Sequence, residues 1–205
     1  MKRDKPDIDY KKHISYSKTA ERALKARLNA KYGADRGVEL WSETKHQYEA
    51  FLSDLPSIGG GKNPMADQLY DSIACFAYWE ALPEKESVED FAETVNETFF
   101  GFHAPTFPRF LSGKPNEGLR AVLVGCPICD FAKAHGYMHL MPAMCNGDYG
   151  STRFLGVEII RPKTVSLGHG VCDALYVGTE SELLTKYPVK TDENGYMYND
   201  EPEDL

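Results

Sequence analysis

VEIIRPKTVSLGHGVCDALYVG, residues 157–178, reads as two β-strands joined through Gly168-His169-Gly170. The first part is rich in β-branched residues, and the glycines at the joint tolerate the positive φ angles of a hairpin. Just upstream, LRAVLVG (119–125) is an apolar run expected to be a buried strand. CDFAKAHG then opens a helix that Gly136 stops, and MHLMPAMCNGDYGSTRFLG (138–156) is a short helix or a turn-rich segment. Everything before this unit reads as helix. The spacing predicts helices over 15–32, 38–55, 63–82 and 87–100, with Gly33 as a stop, Asn63-Pro64 as a helix start and Ser87 with Asp90 as a capping box variant. Helices first and an antiparallel hairpin last predict an α+β fold, a helical N-terminal half packed on a small mixed or antiparallel sheet.

The 205 residues suit a single domain, 1–205, in which 1–12 and the acidic end 191–205 are expected to be poorly ordered. That end holds six acidic and no basic residues, so most of the net charge of −8 resides there. No basic patch points to nucleic acid, and no apolar run is long enough for a membrane span. MKRDKPDIDYKKH lacks the apolar core of a signal peptide, so the expected compartment is the cytoplasm. PSIGGGKNP (56–64) resembles a phosphate loop only superficially. Pro56 stands where the first glycine is required, and Asn63 stands where Ser or Thr should follow the lysine.

Five cysteines in such a chain suggest core thiols, metal ligands or catalysis. Cys75 lies among Ile73, Phe76 and Tyr78 and reads as a core thiol. Cys126 precedes Pro127 at a strand-to-helix corner, where unpaired N–H groups are expected to lower a thiol pKa. With Cys129 it allows a redox pair, and with Cys129, Cys145 and Cys172 it allows a four-thiolate zinc site, although the second pair is widely split. His135 and His139 are four apart, but Gly136 should end the helix between them. Cys145 and Asp148 point the same way if their segment is helical. On the last strand, Cys172 and Asp173 must face opposite sides. Asp173 falls with Val171, Leu175 and Val177, where a carboxylate needs a partner, with Arg161 one such partner. Arg161 precedes Pro162, which should break the ladder and bulge the strand. An arginine there can act as an anion clamp or lie on the surface.

The order Cys126-Pro, a helix ending at Gly136, Cys145-x-x-Asp148, Arg161-x-x-Thr164-x-x-x-Gly168 and Cys172-Asp173 resembles the L-2-amino-thiazoline-4-carboxylic acid hydrolase family over residues 120–178. Cys129 and Ala174-Leu175 depart from the pattern. The resemblance implies a hydrolase that opens a small cyclic amidine-thioether with water, acting in cysteine metabolism on a small-molecule substrate without a cofactor. It assigns chemistry to Cys126, Cys145, Asp148, Cys172 and Asp173, and substrate binding to Arg161, Thr164 and His169. An Asp would activate water, or Cys126 would attack as a reactive cysteine. The alternative is a non-catalytic domain that binds a small molecule or a thiolate-held zinc.

Overall fold

The computed structural model describes residues 18–55, 66–103, 118–154 and 156–203. The expectations for 1–12, the 56–64 loop with Asn63-Pro64, and the loop after His103 lie outside them. Among the described residues the chain forms two compact units divided after residue 102.

The first unit is helical: α1 (Lys18–Tyr32), α2 (Ala34–Asp54), α3 (Ala66–Ala81) and α4 (Val88–His103). α2 buries Leu40, Trp41, Thr44, Tyr48, Phe51 and Leu52, a stripe at the helical period that packs on α1 and α3. α1 crosses close at Gly37, where a Cβ would lie 3.0 Å from the Asn29 Cα. Cys75 of α3 is fully buried, a core thiol as expected. Ser87 caps α4 by accepting the Asp90 N–H at 3.1 Å.

The second unit carries β1 (Gly118–Val124), α5 (Pro127–His135), a 3-10 turn at Met138–Leu140 and α6 (Met141–Phe154). Then come β2 (Val157–Lys163), a 3-10 turn at Val165–Leu167 and β3 (Val171–Gly178). It ends in α7 (Leu183–Lys186), β4 (Lys190–Thr191) and β5 (Met197–Tyr198). The three long strands make an antiparallel sheet in the order β1-β3-β2. The fold is α+β. One face of the sheet packs Ile160, Leu175 and Val177 on Tyr187, with Leu183 and Leu184 of α7 beside them. The other packs Ile159 and Ala174 on Tyr149 of α6, with Tyr176 and Met197 beside them.

Two expectations change, and one of two alternatives is settled. β1 is mostly exposed, with Leu119, Val122 and Val124 open to solvent. Among the described residues it is an edge strand, bonded only to β3. The 138–156 segment is helical along α6. The described part of the acidic end, 191–203, is held by specific contacts. Asp192 Oδ1 accepts the N–H groups of Asn194 and Tyr196 at 2.9 and 2.8 Å. Lys190 pairs with Asp200, and Lys163 with Glu201. Asn146 of α6 donates to Gly195 O at 2.7 Å and accepts the Met197 N–H at 2.8 Å.

The bulge at Arg161-Pro162 is present. Between the pairs Ile160–Leu175 and Lys163–Asp173, β2 advances three residues while β3 advances two. Asp173 finds a partner in Arg120 of β1, not Arg161. Arg120 Nε and Nη2 reach its two carboxylate oxygens at 2.9 and 2.5 Å. Asp173 is buried, and the bidentate contact holds its carboxyl below the ordinary 3.8. This pair joins β1 to β3. Because the folded pKa lies below the unfolded one, the stabilisation is present above pH about 4 and is lost as pH falls through the lower folded value. Asp173→Asn should therefore lower the Tm at neutral pH, and the deficit should close as pH falls below about 4. A deficit that persists unchanged in acid would contradict the pairing.

Candidate functional site

α6, β2, the turn that follows it and β3 bring five of the expected residues together: Cys145, Asp148, Arg161, Thr164 and Cys172. Because α6 is helical, Cys145 and Asp148 lie on neighbouring faces of the same turn, as their spacing allows. Tyr149 packs under the sheet beside them.

Arg161 is the centre of the group. It is 3% exposed, so its charge requires partners inside the protein. Nη1 donates to Asp148 Oδ2 at 2.7 Å and to Cys145 O at 2.9 Å. Nη2 reaches Met197 O at 3.5 Å, and the buried Nε has no hydrogen-bond partner among the described residues. The guanidinium carbon lies 5.0 Å from the centre of the Tyr149 ring.

The bulge takes the Arg161 backbone out of the β2–β3 ladder, and Asn199 completes it. Arg161 N–H donates to Asn199 Oδ1 at 2.8 Å, and Asn199 N–H donates to Arg161 O at 3.3 Å. The same Oδ1 accepts the Tyr149 hydroxyl at 2.9 Å, and Nδ2 donates to Tyr187 O at 2.9 Å.

Asp148 is the accessible end of this arrangement, its side chain 55% exposed against 3% for Arg161. Burial pushes its pKa above 3.8, and Arg161 pulls against that rise.

A run of hydroxyls links two thiols. Cys145 Sγ is 3.2 Å from Ser166 Oγ, which is 3.4 Å from Thr164 Oγ1, which is 3.3 Å from Cys172 Sγ. The Val165 N–H also donates to Cys172 Sγ at 3.3 Å. Burial pushes the Cys145 thiol up to about 12, with Arg161 opposing. Thr164 is buried and engaged, whereas His169 is exposed, its Nδ1 3.1 Å from Thr164 O.

Cys126 does occupy the N-cap of α5, with Pro127 at the first helical position, but its side chain makes no cap hydrogen bond. Its thiol pKa is raised, not lowered. Burial outweighs the amides of Cys129 and Ile128, and the nearby Cys172 adds to the rise. Cys129 is buried with its sulfur 4.0 Å from Met138 Sδ, and its thiol is also pushed up by burial. Among the described residues no group of three or more Cys, His, Asp or Glu is placed to hold a metal, so the four-thiolate zinc alternative has no ligand set. His135 stacks on Phe131, and His139 Nδ1 lies 3.2 Å from Gly136 O. Asp173 is separated from the group, on the opposite face of β3 with Arg120.

Sequence reasoning missed Tyr149, Ser166 and Asn199. Tyr149 adjoins Asp148, but its role depends on Arg161 lying over its ring. Asn199 sits in a stretch whose composition reads as solvated.

Brief alkylation of the native chain at pH about 7.5 should label Cys172 first, since it is half-buried and has an N–H at its sulfur. Cys75 and Cys129 should stay unlabelled, and Cys145 should follow only in alkali. Peptide mass spectrometry reads the order. Cys145 ahead of Cys172 at neutral pH would contradict the geometry.

No curated protein and no solved structure matches the chain. A family model does, that of L-2-amino-thiazoline-4-carboxylic acid hydrolase, over residues 68–176. The matched span includes most of α3, all of α4 and most of the sheet, and holds Cys145, Asp148, Tyr149, Arg161 and Cys172 in one segment. It ends before Asn199. It covers just over half of the chain, which therefore belongs to the L-2-amino-thiazoline-4-carboxylic acid hydrolase family and is a hydrolase of that type.

Proposed function

We propose that the chain opens L-2-amino-thiazoline-4-carboxylate with water, and that Asp148 moves the proton. The observation that carries this reading is a buried guanidinium bonded to a carboxylate that solvent can reach. The ring carbon to be attacked is bonded to two nitrogens and one sulfur. Such an amidine is cationic when protonated and is a natural partner for a carboxylate. Arg161 holds Oδ2, which leaves Oδ1 for the substrate side. Asp148 takes a proton from water as the oxygen bonds to the ring carbon. The carbon–sulfur bond then breaks, and Asp148 returns the proton to the departing sulfur, giving N-carbamoyl-L-cysteine. Asp148 suits a base because water and substrate can reach it while Arg161 fixes its orientation.

In this reading Arg161 orients Asp148 and does not itself clamp the substrate carboxylate, because its Nη1 is already engaged. His169, exposed on the adjoining loop, remains a proposed substrate contact, with the buried Thr164 holding its Nδ1. The product would place the enzyme in cysteine metabolism. Five free cysteines support a reducing, cytoplasmic setting, and among the described residues no helix is long and apolar enough to cross a membrane.

A second route is favoured by one observation, the Val165 N–H at Cys172 Sγ. There Cys172 attacks the ring carbon, the ring sulfur leaves, and water releases the amidino group from the enzyme sulfur.

Asp148→Asn should lower ring-opening kcat/KM by about 10²-fold or more, with Cys172→Ser retaining activity. Full activity in Asp148→Asn would overturn the Asp148 assignment. Loss of activity in Cys172→Ser, with an enzyme-bound adduct in the mass spectrum of the native chain, would establish the thiol route instead.

A further inference from the structure

The acidic C-terminal stretch lies outside the matched family segment, yet it reaches the centre of the site. Asn199 is 2% exposed, and its backbone N–H, Oδ1 and Nδ2 are all engaged. Its contacts go to the backbone of Arg161, the hydroxyl of Tyr149 and the carbonyl of Tyr187. We propose that Asn199 is a positioning residue for the hydrolysis, holding Arg161 and Tyr149 in the one arrangement that presents Asp148 to the substrate.

The argument starts at the bulge. Pro162 has no N–H to offer the ladder, and the extra residue leaves the Arg161 N–H and C=O without β3 partners. A buried backbone pair left open is costly, so something must close it. Asn199 closes it in the manner of a short strand, adding its side-chain oxygen. That oxygen also accepts the Tyr149 hydroxyl, which fixes the ring over which the guanidinium lies. One amide thereby sets both the root of Arg161 and the surface its head rests on. The tail that delivers Asn199 is anchored twice more, by Asn146 to Gly195 and Met197 and by the ion pairs of Lys190 and Lys163.

The titratable groups around Asp148 are Arg161 of β2, Tyr176 of β3, and Cys145 and Tyr149 of its own helix. Arg161 is the one that holds the Asp148 pKa down. If Asn199 is lost, Arg161 relaxes from Asp148 and the carboxyl pKa rises. A residue with only a structural role would change the folded fraction and leave that pKa alone.

This inference rests on the reading of Asp148 as the proton-transfer group, but its test does not need activity. Asp148 is titrated by carbon-13 carboxyl NMR in the full chain, in wild type, Asn199→Ala and Tyr149→Phe, each checked for folding. Tyr149→Phe removes only the hydroxyl limb and covers the case in which Asn199→Ala does not fold. The expected result is a higher Asp148 pKa in the variants. The acid limb of ring-opening kcat/KM should move up with it, and kcat/KM should fall on the order of 10²-fold in Asn199→Ala. An Asp148 pKa unchanged from wild type in a folded variant overturns the inference. A raised pKa in a chain whose wild type opens no ring would uphold the positioning role and overturn the proposed reaction.

Discussion

A guanidinium buried to 3% exposure is the constraint on which this site depends. A charge there is tolerable only if protein replaces the water it has lost. Asp148, the Cys145 carbonyl and the Tyr149 ring do most of that work, and all three come from α6. The cation therefore dictates how α6 sits on the sheet, and in return it holds a carboxylate at the protein surface. An exposed pair between mobile side chains would be worth little and would orient nothing. Here one partner is rigid, and that gives the accessible partner a defined place.

The sheet serves this arrangement through its faults as much as its regular pairing. The bulge at Arg161-Pro162 re-aims the arginine and opens its backbone. Asn199 fills the gap, and the chain beyond β3 folds back to bring it there. Ser166 and Thr164, on the turn between β2 and β3, set their hydroxyls between the Cys145 and Cys172 sulfurs. On the opposite face, Asp173 and Arg120 tie the exposed edge strand to the centre of the sheet. Two carboxylates close in sequence to the same motifs thus do different work because strand alternation sends Asp173 away from the thiols.

Much of the fold was legible because it follows from period and punctuation. Gly33 and Gly136 end helices with positive φ, Ser87 caps α4, and Pro162 bulges β2. The family resemblance over 120–178 lies mostly within the stretch that the family model matches. What was illegible depends on long-range contacts. The pKa of Cys126 turns on burial, which no local pattern reports, and burial reverses the effect of the helix amides. The apolar run of β1 reads as a buried strand, but its place at the sheet edge is a matter of topology. The acidic tail reads as solvated because its charges are numerous. Its Asp192 caps a turn, its Asp200 and Glu201 pair with lysines, and its one buried asparagine has no signature.

The central claim is that Arg161 and Asp148 act as one unit in ring opening. The direct measurement is kcat/KM for wild type, Asp148→Asn, Arg161→Met and the double variant, each verified as folded. The account expects the double variant to be no slower than Asp148→Asn alone, because Arg161 works through the carboxylate it holds. Multiplicative losses, with the double variant slower by the product of the two single effects, would contradict it.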